Sequence, residues 1–185
     1  LKMIEGTFLT KYEDYSTESI INAILSAATT YNVSPYHLTS RMLQEQGKDG
    51  TSSLAQGYEY NGRKVYNLFN ISATGSTDQE ILENGAKYAY EHHWLTPEAC
   101  ILGSASFLNT GYLSVGQTTL YFQKYNVVSE PLYENQYMQN IRAANDEGNI
   151  ISNEYKENGM INGEFEFVIP VYENMPVAPA PRPAA

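Results

Sequence analysis

The chain is poor in the residues that most often announce a chemistry. Among 185 residues there are one cysteine, three histidines and one tryptophan. The single Cys100 excludes an internal disulfide and any multi-cysteine zinc site. It falls in a helical stretch beside Ile101 and reads as a buried, inert thiol rather than a nucleophile. The histidines are His37, His92 and His93. The last two are adjacent, so on a helix they project about 100° apart and do not converge on one ion. There is no His-Glu-x-x-His, no Asp-rich calcium loop, no Gly-x-Ser-x-Gly and no phosphate-cradling glycine loop. No metal and no cofactor is expected.

Positive charge is also scarce, with 11 Lys and Arg against 21 Asp and Glu and a net charge of −10. A nucleic-acid binder needs a basic face to replace phosphate counterions, and anionic lipid needs one too; neither partner fits. No run of about 18 apolar residues exists, so no membrane span is expected. Leu1 is not a start methionine, so the expectation is a fragment or processed domain, and the lack of an export signal carries no weight.

What the chain has in excess is tyrosine, 16 residues of it. Tyrosine joins a flat apolar face to a polar tip. A tyrosine-rich, charge-poor lining suits sugars, whose faces stack on rings and whose edges take hydrogen bonds. Most of these tyrosines are nonetheless expected to be half-buried packing residues. Hydrophobic residues make up 42% of the chain, enough for one sizeable core.

The periodicity is mostly helical. Ile20, Ile21, Ile24, Leu25 and Ala28 give an apolar stripe that predicts a helix over Thr17–Tyr31. Asn61-Gly62 between aromatic and β-branched residues predicts a two-stranded hairpin. Thr77-Asp78-Gln79-Glu80 has capping-box spacing and opens a helix to about Trp94. Thr96-Pro97-Glu98 opens the next, which Gly111 closes; its Gly103, Ser104, Ala105 and Ser106 permit close approach of a helix or a ligand. Two more helices are predicted, over Gln117–Tyr125 and over Pro131–Ala144, the second carrying Tyr137, Met138 and Ile141. Glu164–Ile169 alternates in part, like a strand. The predicted organisation is an arm over residues 1–15, a main domain over 16–175, and a Pro/Ala-rich linker or tail over 176–185.

One further helix organises the rest. Ser34 is a good N-cap, Pro35 fits the first helical position, and Gly47 ends the run. Spacings of four and three put Leu38, Met42 and Glu45 on one face. Leu38 and Met42 belong against a core, which points Glu45 inward or along the lip of a cleft. Partial desolvation and the negative end of the helix dipole both disfavour a charged carboxylate there, as a general acid requires. The bland alternative is a glutamate that ends a surface helix and points at water. The other carboxylates of interest are Glu59 on the hairpin, alternating with Tyr58 and Tyr60, and Glu80 and Glu83 on the following helix. Glu80 is expected in the capping box, and Glu83 faces either a groove or solvent. Glycoside hydrolysis usually takes one protonated carboxyl and a second group on the other face of the sugar.

Five segments, in this order, carry a resemblance. They are Leu43-Gln44-Glu45; Val65-Tyr66-Asn67-Leu68-Phe69-Asn70-Ile71-Ser72-Ala73; the stretch from Gly85 to Glu98; Gly116 to Asn126; and Asn135 to Ile141. Together they resemble the glucosaminidase domain of bacterial autolysins, glycoside hydrolase family 73. The resemblance covers about residues 17–145 and extends to a closing strand near Tyr172. It implies an α+β, mostly α, lysozyme-like fold, with a helical lobe and a small β-hairpin flanking a substrate groove. It implies a secreted, cell wall-associated peptidoglycan hydrolase that cuts the β-1,4 bond between N-acetylglucosamine and N-acetylmuramic acid, with wall-binding modules in the same full-length chain. It gives Glu45 the role of general acid. It places Tyr66, Asn67, Phe69 and Tyr137 along the groove, with Tyr121 a weaker carry-over.

Two departures stand out. The family commonly has Gly where this chain has Asn70, and its small-residue stretch after the glutamate is here Gln46-Gly47-Lys48. For the second catalytic group the chain offers Glu59 or Glu83. If neither faces the cleft, the N-acetyl group of the substrate is the remaining nucleophile, with Tyr137 supporting the transition state. The competing readings are a muramidase or lytic transglycosylase on the same fold, and a non-catalytic glycan-binding domain.

Overall fold

A computed structural model describes residues 2–137 and 140–178. Seven helices and one hairpin follow in chain order: α1 (Thr17–Tyr31), α2 (Pro35–Gln46), α3 (Ser53–Gln56), β1 (Tyr58–Tyr60), β2 (Arg63–Val65), α4 (Asp78–Glu91), α5 (Pro97–Gly111), α6 (Leu120–Tyr125) and α7 (Ala143–Glu157). This is the mostly helical α+β architecture expected. The helix starts are chemically explicit. The hydroxyls of Ser16, Thr77, Thr96 and Thr119 each accept the backbone N–H three residues on, at the heads of α1, α4, α5 and α6. Glu80 reaches back past the cap, and its carboxylate accepts the N–H of Ser76 at 2.7 Å.

The stripe of α1 is buried through Ile20, Ile24, Ala27 and Ala28 and packs along α5. Gly103 makes that side of α5 thin. An added Cβ would meet the indole of Trp94, 2.7 Å from Cε2, so the small-residue stretch receives Trp94 rather than a ligand. In the hairpin Asn61 and Gly62 both have positive φ, 49° and 71°, as a two-residue turn between twisted strands requires. Tyr58 pairs with Val65, Glu59 with Lys64 and Tyr60 with Arg63. Tyr58 and Tyr60 turn toward the core and Glu59 toward solvent. The hairpin leans on α3 and α4.

Helix α2 sits centrally, against α1 on one side and α7 on the other. Leu38 and Met42 are fully buried. Arg41 is buried as well, at 1% exposure.

Three predicted elements differ. No helix runs from Pro131 to Ala144: Pro131–Tyr137 and Asn140–Arg142 are turns and irregular chain, and the helix begins at Ala143. Tyr133 and Asn135 are left-handed, at φ 65° and 50°, which an α-helix does not admit. Side-chain amides hold them so. Asn135 donates to the carbonyl of Gly111 and to Gln117, and Asn126 donates to the carbonyls of Ser129 and Pro131. Met138 lies outside the described residues. The Gln117–Tyr125 helix shortens to α6 because Thr119 caps it late. Glu164–Ile169 is irregular chain that pairs with no strand among the described residues, and Phe167 and Ile169 are 78% and 75% exposed. Of the predicted tail, residues 179–185 lie outside the described residues, and Val177 is exposed. No helix among the described residues is long and apolar enough to cross a membrane.

Candidate active site

Glu45 lies in the last turn of α2, half-buried at the lip of an open cleft of about 440 Å³. The cleft is lined also by Ser52, Leu54, Asn70, Asp78 and Ile81. Both carboxylate oxygens are held. The phenol of Tyr137 donates to Oε1, and the amide of Asn70 donates to Oε2 at 3.2 Å. The same amide donates to the backbone carbonyl of Glu45, also at 3.2 Å.

Sequence distance between these three groups is bridged by two devices. The first is a buckle between α2 and the loop after β2. Gln46 Nε2 donates to the Asn67 carbonyl at 3.1 Å and to Asn70 Oδ1 at 2.9 Å. Asn67, fully buried, braces that loop: its amide donates to the carbonyls of Ile71 and Gly85, and its oxygen accepts the N–H of Ile71. Asn70 is left-handed, at φ 51°, a conformation that asparagine tolerates better than other side chains with a Cβ. The second device holds Tyr137, whose segment has no helix of its own. Its N–H donates to the Gln123 carbonyl at 2.7 Å. Its ring lies under the Arg41 guanidinium, 3.5 Å from carbon to centroid, and edge-on to Tyr112.

Burial raises the Tyr137 phenol far above its usual range. Arg41 opposes that shift, and the Glu45 and Glu147 carboxylates add to it. Tyr137 is therefore a fixed hydrogen-bond donor. A carboxylic acid set between a phenol and an amide is stabilised as it gives up its proton, because both donors strengthen as charge develops on it. That arrangement can deliver a proton to a leaving oxygen in the cleft.

The other predicted site residues are placed as follows. Tyr66, Asn67 and Phe69 are at most 4% exposed and belong to the wall behind the cleft, not to its surface. Tyr66 packs edge-on against Tyr12 and Tyr15. Tyr121 is exposed on α6, tilted against Tyr125, with its hydroxyl 2.7 Å from that of Tyr172, away from the Glu45 cleft. Glu59 is exposed opposite the core face of the hairpin. Glu83 is exposed on α4 and accepts from Gln79. Neither lines the cleft of Glu45.

Sequence reasoning missed three residues here. Asp78 is the other carboxylate of the cleft, brought there as the first residue of α4. The Thr77 cap located it in the chain, but a helix-start aspartate is ordinarily read as dipole chemistry alone. Asn70, noted only as a departure from glycine, turned out to grip Glu45. Arg41 stands four residues before Glu45, the spacing that shares a helix face, yet an arginine on an inward face was passed over. Cys100 is fully buried; burial pushes its thiol up to about 12, against the Leu68 N–H and the Ser104 hydroxyl. Among the described residues no group of three His, Cys, Asp or Glu side chains comes together to hold a metal.

No family model matches the chain. Individual proteins do. The chain is 40% identical over 114 residues to a β-N-acetylglucosaminidase of Bacillus subtilis, a match covering 60% of this chain and 12% of that protein. It is 32% identical over 159 residues to a bifunctional autolysin of Staphylococcus epidermidis, covering 82% of this chain and 11% of that protein. The chain thus spans about an eighth or less of the length of these curated relatives. Among solved structures, a catalytic mutant of Staphylococcus aureus autolysin E in complex with the disaccharide NAG-NAM superposes with a TM-score of 0.64 at 30% identity, over 75% of this chain and 60% of that one. Sequence relatives and structural neighbours thus agree, and with the mostly helical fold they support one assignment: an autolysin glucosaminidase domain.

Proposed function

We propose that this domain hydrolyses the glycan strands of peptidoglycan, cutting the β-1,4 bond between N-acetylglucosamine and N-acetylmuramic acid, with Glu45 as the general acid. The observation that carries the reading is the Glu45 carboxyl at the cleft lip, with one oxygen on the Tyr137 phenol and the other on the Asn70 amide. Glu45 protonates the glycosidic oxygen as the bond to the anomeric carbon breaks. The two donors stabilise the carboxylate that results. With Glu59 and Glu83 outside the cleft, the acetamido oxygen of the substrate is the nucleophile at the anomeric carbon. Water then opens the cyclic intermediate, Glu45 takes up the proton of that water, and configuration is retained.

The setting is the cell wall after secretion, with this domain as the catalytic module of a longer chain that carries wall-binding modules. The small share of the relatives' length that the chain spans supports that reading.

The test is digestion of purified peptidoglycan by the parent and by Glu45→Gln, with masses of the products. Fragments with a reducing N-acetylglucosamine end are expected from the parent and none from the variant. A reducing N-acetylmuramic acid end makes the domain a muramidase, and an anhydro end makes it a lytic transglycosylase. Binding of glycan without any cleavage makes it a binding module. NMR of the first-formed anomer on a synthetic oligosaccharide decides the nucleophile, since inversion excludes the acetamido route.

A further inference from the structure

A second buried cluster lies behind the cleft. It joins α7 to α2. Glu147 of α7 is 1% exposed, and its side-chain partners among the described residues, His37, Ser40 and Arg41, all lie on α2. Its Oε1 accepts from Ser40 Oγ at 3.1 Å and lies 3.2 Å from His37 Nδ1; its Oε2 accepts from Arg41 Nε at 2.9 Å. Arg41 Nη2 donates to Gln123 Oε1 at 2.8 Å, and the carbonyl of that same Gln123 accepts the Tyr137 N–H. Arg41 Nη1 has no hydrogen-bond partner among the described residues. What the guanidinium covers is the ring of Tyr137.

A buried ion pair is weak evidence for stability, because the cost of desolvating both charges offsets their attraction. This one has a directional feature that a simple staple lacks. A guanidinium is planar, and anchoring it at Nε and Nη2 fixes the plane on which Tyr137 rests. Tyr137 is in irregular chain, and its ring angle is set by the guanidinium plane together with the edge-on Tyr112 ring. Its phenol in turn sets Oε1 of Glu45.

We infer that Glu147 is a positioning residue for the reaction: through Arg41 it orients the Tyr137 phenol onto the acid Glu45, so that α7, remote from the cleft, fixes the geometry of proton delivery. The inference rests on the functional reading above. It makes Glu147 matter for catalysis only while Tyr137 has a hydroxyl to place.

Kinetics on peptidoglycan fragments of defined length test it, using Glu147→Gln, Glu147→Asp, Tyr137→Phe and the two double variants. Glu147→Asp keeps the buried charge but shortens its reach, and it carries the test on its own if the neutral variant fails to fold. Each Glu147 substitution is expected to lower kcat about tenfold or more at nearly unchanged KM, as a misplaced catalytic contact does. In the Tyr137→Phe background the same substitution is expected to change kcat less than about twofold, the non-additivity of residues acting in series. An equal loss of kcat in both backgrounds, or full activity of Glu147→Asp, overturns the inference, since a merely structural Glu147 acts alike in either background. A crystal structure of Glu147→Asp gives a readout that needs no turnover. Tyr137 displaced from Glu45 supports the inference, and an unmoved phenol overturns it. A parent that cleaves no glycan refutes the functional reading instead, and the crystal structure then still decides whether Glu147 places Tyr137.

Discussion

Asn70 combines a strained backbone with three side-chain hydrogen bonds, and two substitutions pull these apart. Its φ of 51° is left-handed, which glycine adopts freely and alanine does not. Its amide gives one bond to the Glu45 carbonyl and one to Oε2, and its oxygen accepts one from Gln46. Asn70→Gly relieves up to about 1 kcal/mol of backbone strain. It also removes three bonds of about 1 kcal/mol net each, discounted because the site is half-exposed and the bonds to Glu45 are long. Gln46 keeps its bond to the Asn67 carbonyl, so that donor is not orphaned. The loss wins, and Asn70→Gly is expected to be destabilised by about 1 kcal/mol. Asn70→Ala loses the same bonds without the relief and adds strain, so it falls about 1–2 kcal/mol below the glycine variant. Urea unfolding with a common slope reads both values. Activity is expected to behave differently. The lost donor on Oε2 is common to both variants, so both lose kcat by about tenfold, equivalent to about 1.4 kcal/mol in the barrier. The stability order tests the backbone argument, and the equal loss of rate tests the side-chain argument. Parent-like kcat in Asn70→Gly would refute the role of the amide. A kcat loss that tracks stability across the two variants would show that the loop, not the donor, matters.

Two further expectations concern groups away from the cleft. Burial alone raises the Glu147 carboxyl, but hydrogen bonds from His37 and Ser40 and the charge of Arg41 outweigh it and hold it below 4.5. A lowered native pKa stabilises the fold fully above 4.5, and that contribution fades as pH falls toward the native value. The urea midpoint of the parent should therefore drop on acidification below about pH 4.5, more steeply than that of Glu147→Gln, and parallel pH curves would contradict the assignment. Cys100, fully buried with its thiol pushed up to about 12, should not react with a disulfide reagent at pH 8 until the chain unfolds in denaturant; prompt labelling of the native protein would contradict its burial.

The local signals in the sequence were strong wherever a periodic stripe, a cap and a turn residue agreed. Helix α1, the Asn61-Gly62 hairpin and the helix from Pro35 to Gln46 all came from rules that act within about a dozen residues, although Ser34 at the head of α2 makes no side-chain cap bond. The segment over Pro131–Ala144 defeated the same rules. Its apolar spacing suggested a helix, but the Asn135 amide finds the carbonyl of Gly111, 24 residues away and outside any local window. Helix α7 was missed for the complementary reason. It docks by a buried carboxylate, Glu147, rather than an apolar stripe, so no periodicity announces it. At the site, helix spacing by itself put Glu45 on the side of α2 that carries Leu38 and Met42, with a water-facing glutamate still open, and its role as general acid came from the resemblance. Tertiary structure decided what surrounds it. Asn67, Phe69 and Tyr66 went into the wall because their motif braces a loop, and Glu59 and Glu83 went to solvent because each shares its element with a face that packs inward. Asn70 and Tyr137 reached the two oxygens of Glu45 from 25 and 92 residues away. Contacts of that span are made by packing, and no pattern along the chain encodes them.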